Sequence, residues 1–78
     1  MKALGTPKPA AVEPDSRGVP AAVDAVAVDS VREEWVVEDR WWTGSPLRRR
    51  YFELVLADGR NVVVFRDLVG GSWFAQRA

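Results

Sequence analysis

The sequence predicts an all-β protein, a small four-stranded antiparallel meander preceded by a disordered N-terminal tail. Three observations lead to this prediction. All four tryptophans, all three phenylalanines and the single tyrosine lie after residue 30. The apolar residues of that second half alternate with a period of two, which is typical of strands. Asp58-Gly59 separates two such runs, and this dipeptide is a strong signal for a β-hairpin.

The tail is predicted over residues 1–28. Four of the five prolines of the chain lie there, at Pro7, Pro9, Pro14 and Pro20, and no aromatic residue does. Such a segment buries too little apolar surface to offset the conformational entropy lost on ordering. The weak alternation that begins at Val26 is the exception, and a short strand or a strand extension is the alternative reading there.

The folded unit is predicted over residues 29–78, with strands at about 31–42, 49–57, 61–66 and 72–77. Turn-forming residues separate these strands at 43–46, at Asp58-Gly59 and at 69–71. The first strand has a helical alternative, because Asp29 or Ser30 would be a suitable cap for a helix that runs to Trp35.

The hairpin at Asp58-Gly59 also predicts which face of the sheet is buried. With a two-residue loop, Leu54 lies opposite Val63 and Phe52 lies opposite Phe65. The predicted core face then contains Phe52, Leu54, Leu56, Val63 and Phe65, and the half-wet face contains Tyr51, Glu53, Val55, Val62, Val64 and Arg66.

Each tryptophan can be a core residue or a contact for a partner. A domain this small needs its large side chains inside, so Trp35, Trp41 and Trp73 are predicted to be core residues. Trp42 follows Trp41 directly in a strand and therefore points to the opposite face, where it is available to a partner.

The composition argues against an enzyme. The chain has no Cys and no His, so thiol nucleophiles, the commonest general base and the commonest metal ligand are all missing. The carboxylate pairs Glu33/Glu34 and Glu38/Asp39 are adjacent along a strand, and their members point to opposite faces. We therefore predict no catalytic residue, no metal site and no cofactor.

No membrane association is predicted. No run approaches the roughly 18 apolar residues that a spanning helix needs. The first residues lack the continuous apolar stretch of a signal peptide. A cytoplasmic location is the expectation.

The chain has one run of like charges, Arg48-Arg49-Arg50, and Tyr51 follows it directly. Together with Trp42, these residues are the candidate partner surface. Arginines beside an aromatic ring are typical of phosphate and base contacts in single-strand nucleic-acid binding. The plainer interpretation is a solvated strand start, whose arginines pair across the sheet with Glu33, Glu34, Glu38 and Asp39. With 11 basic and 11 acidic residues, the chain has no net charge to attract nucleic acid.

The second half also resembles a family of small bacterial domains, the DUF6504 type, found mainly in actinobacteria and related high-GC bacteria. The residues that carry the likeness are Trp35, Trp41-Trp42 with Gly44, Arg50-Tyr51, Asp58-Gly59, Phe65-Arg66-Asp67, and Gly71 with Trp73. The likeness covers about residues 30–78 and does not extend to the tail. A similar segment forms the C-terminal end of ImuB-type proteins. These are inactive relatives of Y-family polymerases and act as hubs in mutagenic translesion synthesis.

The resemblance implies a non-catalytic protein-interaction module, an accessory in DNA damage tolerance with a partner from the translesion machinery. The alternative is a single-strand nucleic-acid binder that uses the segment Arg48–Tyr51. A homodimer closed through its edge strands is a third, structural hypothesis.

Overall fold

The computed structural model describes residues 6–39 and 47–76, and these residues form strands and turns with no helix. The strands are β1 (Lys8–Pro9), β2 (Val12–Pro14), β3 (Pro20–Val23), β4 (Val26–Asp39), β5 (Leu47–Leu56), β6 (Asn61–Asp67) and β7 (Trp73–Gln76). They form one antiparallel sheet in the order β1-β7-β6-β5-β4-β3-β2. The prediction of an all-β antiparallel fold is confirmed.

The prediction of four strands is wrong, because the described part of the chain has seven. Strands β4 to β7 correspond to the predicted meander, and β4 begins at Val26 and replaces the helical alternative at 29–35. The three additional strands lie in residues 8–23, which were assigned to the tail. Residues 1–5, Trp41, Trp42 and the predicted turn at 43–46 lie outside the described residues.

The sheet curls into a half-barrel whose two edges belong to one short segment. Strands β1 and β2 are the edges, and only Ala10 and Ala11 separate them in the chain. The Ala10 amide donates to the carbonyl of Trp73, at 3.2 Å, and the Ala11 carbonyl accepts from the amide of Asp24, at 2.7 Å. Because edge strands tolerate proline, Pro9 and Pro14 are compatible with these positions.

The concave side of the curled sheet, here called the inner face, holds the main core. Phe52, Leu54, Leu56 and Val64 lie there, all nearly inaccessible to solvent, and β3 adds Val23. Trp73 packs against this cluster, as predicted, with its ring centroid 5.9 Å from that of Phe52. The N-terminal strands therefore close over side chains that a four-stranded sheet would leave open on this face.

The hairpin between β5 and β6 exists as predicted, but its register differs by one residue. Leu54 lies opposite Val62, and Tyr51 lies opposite Phe65. The loop has three residues, Ala57 to Gly59, and Gly59 takes a positive φ of 89° while its amide donates to the Leu56 carbonyl. Such a loop is the next most common hairpin connection after the two-residue one.

This register corrects the predicted faces. A shift of one residue moves a side chain to the other side of a sheet. Val63 and Phe65 therefore lie on the convex side, here called the outer face, although they are only 4% and 2% exposed. Val62 and Val64, predicted for the half-wet face, pack with the inner core instead.

Strand β4 is long and carries two irregularities. Its pairing with β5 skips a residue between Val28 and Ser30, and again between Val31 and Glu33. These β-bulges leave Asp29 and Arg32 as the additional residues of β4, and bulges bend a strand and increase its twist. From Glu33 to Asp39 the pairing is regular.

Candidate functional site

A row of four aromatic side chains crosses the outer face, one on each of four neighbouring strands. We call Trp35, Tyr51, Phe65 and Phe74 the aromatic row. Trp35 and Tyr51 stack with their ring centroids 5.3 Å apart and their planes within 4°. Tyr51 lies 4.9 Å from Phe65, and Phe65 lies 5.2 Å from Phe74. The register of β4 to β7 places these residues directly opposite one another, so the row is a consequence of strand pairing.

The row forms a second, shallow core and leaves one ring partly open. Phe65 in the middle is buried, whereas Trp35 at the end of the row is 37% exposed. The prediction that Trp35 is a core residue is therefore wrong. Tyr51 covers one face of its indole, and the other face points toward the edge of β4.

Arg49 covers the row from β5. Its guanidinium carbon lies 4.5 Å above the centre of the Phe65 ring, and its Nη1 donates to the Tyr51 hydroxyl at 3.3 Å. A cation over an aromatic face is stabilised by the quadrupole of the ring. Arg49 is therefore engaged in holding the outer face together.

Arg50 lies on the opposite side of β5 and joins three parts of the fold. Its Nη2 lies 2.6 Å from Oε2 of Glu34, and its Nη1 donates to the carbonyl of Arg17 at 3.4 Å. Its guanidinium also lies 4.9 Å from the centre of the Phe52 ring. This side chain thus ties β4 and the β2–β3 turn to the inner core.

The predicted candidate surface is therefore divided between two faces. Arg49 and Tyr51 lie on the outer face, while Arg48 and Arg50 point to the other side of β5. Arg48 contacts Glu38 at 3.8 Å, so the expected cross-strand pairing occurs at two positions, Arg48–Glu38 and Arg50–Glu34. Trp42 lies outside the described residues.

Among the described residues, one edge of β4 has no strand beside it over most of its length. The pairing with β3 involves only Val26 and Ala27 of β4. Beyond them, no strand of the described residues pairs with this edge, and apolar side chains are exposed along it: Val31 at 40%, Trp35 at 37% and Val36 at 52%. An unpaired edge presents main-chain donors and acceptors that another strand can use.

Two carboxylates face each other beside this edge. Glu33 of β4 lies directly opposite Glu53 of β5 on the outer face. Neither forms an ion pair or a hydrogen bond with any residue in the described ranges. Sequence analysis missed this pair, because only the register of β4 against β5 brings the two residues together. The alternation of Glu33 and Trp35 on one parity was the available signal.

The turns are held by aspartates whose pKa values are lowered. The amides of Val19 and Arg17 donate to Asp15, and these hydrogen bonds lower the pKa of its carboxyl below the ordinary value of 3.8. The Arg60 amide lowers the pKa of Asp58 in the same way. Both pKa values are lowered by backbone hydrogen bonds within turns, so they do not indicate a catalytic acid or base.

An open cleft at one end of the curled sheet offers little chemistry. Its apolar floor includes Val23, Leu56 and Val62. Two of its charged groups are held by the fold, since Asp24 accepts from the Ala11 amide and Arg60 pairs with Asp58 at 2.8 Å. Within residues 6–39 and 47–76, no three His, Cys, Asp or Glu side chains cluster to hold a metal ion.

Comparison with known proteins gives no assignment. No family model, no curated protein and no solved structure matches the chain. In the described part of the chain, no helix is long and apolar enough to cross a bilayer.

Proposed function

We propose that this chain is a non-catalytic protein-interaction module of DNA damage tolerance, and that its partner docks as an added strand along the free edge of β4. The observation that carries this proposal is that edge itself. Val31, Trp35 and Val36 are exposed there, on the side of β4 that has no neighbouring strand beyond Ala27 among the described residues. Strand addition is a common mode of peptide recognition, in which the main chain supplies affinity and alternate side chains supply specificity.

The geometry of the strand supports a selective contact. Its N-terminal half carries two bulges, which are a natural protection against indiscriminate edge pairing. The regular portion, from Glu33 to Asp39, is long enough to pair with a short extended peptide. An exposed aromatic side chain in the middle of this portion, Trp35, is a suitable anchor for the partner.

The alternative of single-strand nucleic-acid binding is less well supported by these contacts. Binding of that kind needs free arginines and open ring faces. Arg48 and Arg50 are paired with carboxylates, and Arg49 covers Phe65. Tyr51 is flanked by Trp35 and Phe65, so no full face of its ring is open for stacking with a base.

The proposed role in DNA damage tolerance is based on the resemblance of residues 30–78 to the C-terminal segment of ImuB-type proteins. In that setting the partner belongs to the machinery of translesion synthesis. A module of this type would hold a partner without taking part in the chemistry.

Site-specific photocrosslinking in cells tests the proposal. A photoreactive residue replaces Val36 on the free edge, and the matched control carries it at Val69, which is 64% exposed in the β6–β7 turn. After DNA damage, the Val36 variant should crosslink to a protein of translesion synthesis, and the Val69 variant should not. Equal products from both positions, or none from Val36, would contradict docking at this edge. A reproducible partner from an unrelated process would contradict the role in DNA damage tolerance but not docking at the β4 edge.

A further inference from the structure

We infer that the segment recognised at the β4 edge is basic: an extended strand that places a lysine or arginine beside Glu33 and Glu53, and a second side chain on the open face of Trp35. This inference rests on the proposed function, and it specifies the chemistry of the partner.

The carboxylates of β4 differ in how their charge is balanced. Glu34 and Glu38 are neutralised by Arg50 and Arg48 across the sheet. Glu33 instead faces another carboxylate, Glu53. Like charges directly opposite one another in a sheet are destabilising. Glu33 and Glu53 therefore place two negative charges on the outer face beside the open edge, and no cation of the described residues pairs with them.

The aromatic anchor Trp35 lies on the same face as Glu33. Trp35 follows Glu33 by two residues, so both side chains lie on the outer face of β4. Tyr51 stacks on one side of the indole, and the other side is directed toward the free edge. A strand added there has its own outward side chains beside Glu33 and Trp35. A cation placed there attracts both carboxylates and is close enough to the indole for a cation–π contact.

The spacing gives the recognised pattern. Side chains on one face of a strand are two residues apart. The partner strand therefore carries a basic residue at one position, and two positions away it carries a second basic residue or an apolar residue that packs on Trp35. Val36 points to the other face and is 52% exposed, so the partner residue that follows the Trp35 contact, on the side away from Glu33, is expected to be apolar.

A second copy of this chain fits less well. In an antiparallel pairing of two β4 strands centred on Trp35, Val37 of one copy lies opposite Glu33 of the other, and the carboxylate remains uncompensated. The only cation of β4 is Arg32, which lies in a bulge where regular pairing is interrupted. Charge complementarity therefore favours a different, basic chain over a homodimer.

The test is a titration of the ¹⁵N-labelled full chain, followed by the amide resonances of residues 33–38 and the indole N–H of Trp35. Three short capped peptides are compared: alternating valine and lysine, the same peptide with glutamate for lysine, and the same peptide with serine for lysine. The basic peptide should shift these resonances most strongly, and its affinity should fall as salt rises.

Matched variants link the effect to the carboxylates. Glu33→Gln and Glu53→Gln should each weaken binding of the basic peptide by about two- to fivefold, the range expected for an exposed charge pair. Glu13→Gln, an exposed carboxylate on β2, should leave it unchanged. In the absence of peptide, Glu53→Gln should raise the melting temperature, because it removes the repulsion from Glu33.

The outcomes separate the two proposals. If all three peptides shift residues 33–38 equally, the preference for a basic partner is wrong and docking at the β4 edge stands. If the basic peptide binds but shifts resonances elsewhere, or if no peptide shifts these resonances, both proposals are overturned.

Discussion

The guanidinium of Arg50 lies 2.6 Å from the carboxylate of Glu34, and the same group donates to the carbonyl of Arg17 33 residues earlier in the chain. One side chain thereby connects the long strand β4, the β2–β3 turn and the ring of Phe52. The Arg50–Glu34 pair is half-exposed, so the attraction of opposite charges is only one part of its contribution to stability. The other part is that Arg50 holds β4, the β2–β3 turn and the Phe52 ring in position.

Replacement of Arg50 by alanine should lower the free energy of unfolding by about 1–2 kcal/mol, because an ion pair, a cation–π contact and the hydrogen bond to the Arg17 carbonyl are lost together. The control is Arg48→Ala, which removes only the 3.8 Å contact with Glu38 and should cost less than about 0.5 kcal/mol. Urea denaturation measures both. Equal losses for the two variants would show that the contacts of Arg50 with the turn and with Phe52 add no stability.

The outer face should behave as a second core. Phe65 is 2% exposed and lies between Tyr51 and Phe74. Phe65→Leu removes the ring contacts and the cation–π contact with Arg49, so it should reduce the free energy of unfolding by about 1–2 kcal/mol. Val69→Ala, on an exposed turn, is the control and should change it by less than about 0.5 kcal/mol. A neutral Phe65→Leu substitution would mean that the outer row contributes no packing energy.

The position of Phe65 also explains how far the sequence could predict this fold. The Asp58-Gly59 dipeptide identified the hairpin, but it is compatible with loops of two and three residues. The strand that follows, Val62-Val63-Val64-Phe65, is apolar on both faces, so its pattern could not decide which residues point inward. The register of β5 against β6, and with it the aromatic row, therefore required the tertiary structure. The same holds for the register of β4 against β5, which brings Glu33 opposite Glu53.

The N-terminal strands were beyond prediction for a different reason. Residues 8–23 contain no aromatic residue, and three short strands rich in alanine, valine and proline would not fold alone. In the folded protein these strands pack over a core formed by side chains of β5 and β6. Val23 adds one buried side chain to that core. The cross-strand pairing of arginines with glutamates was predictable, since it depends on charge alternation along neighbouring strands.

Glycine at position 25 should stabilise the protein. Asp24 and Ala25 form the two-residue β3–β4 loop with positive φ angles of 48° and 68°. A side chain in this conformation costs about 1–2 kcal/mol, whereas glycine adopts it freely. Ala25→Gly is therefore expected to raise the free energy of unfolding by about 0.5–1 kcal/mol. Ala21→Gly, in the extended strand β3, should lower it by a similar amount. The same sign for both substitutions in thermal unfolding would contradict this assignment of strain.

Acid should weaken the fold through the turn aspartates. The pKa of Asp15 is lowered in the folded chain by the Val19 and Arg17 amides, so its contribution to stability is present above the ordinary value of 3.8 and is lost as pH falls through the lower, folded-state pKa. Asp15→Asn keeps an oxygen for these amides but does not titrate. Its urea midpoint should therefore fall less steeply with acid than that of the unchanged chain. Identical pH dependence below 3.8 in both proteins would exclude this contribution.

The segment that forms both edges of the sheet has a kinetic consequence. Lys8 pairs with Ala75, so this closure joins positions near the two ends of the described chain. Contacts between distant residues cost the most loop entropy and form slowly, whereas the hairpins from β4 to β7 are local. The β1–β7 pairing should therefore be late in folding and early in opening, and its amides should exchange with solvent sooner than those between β5 and β6. We therefore expect β1 and β7 to meet only after the sheet between them has formed.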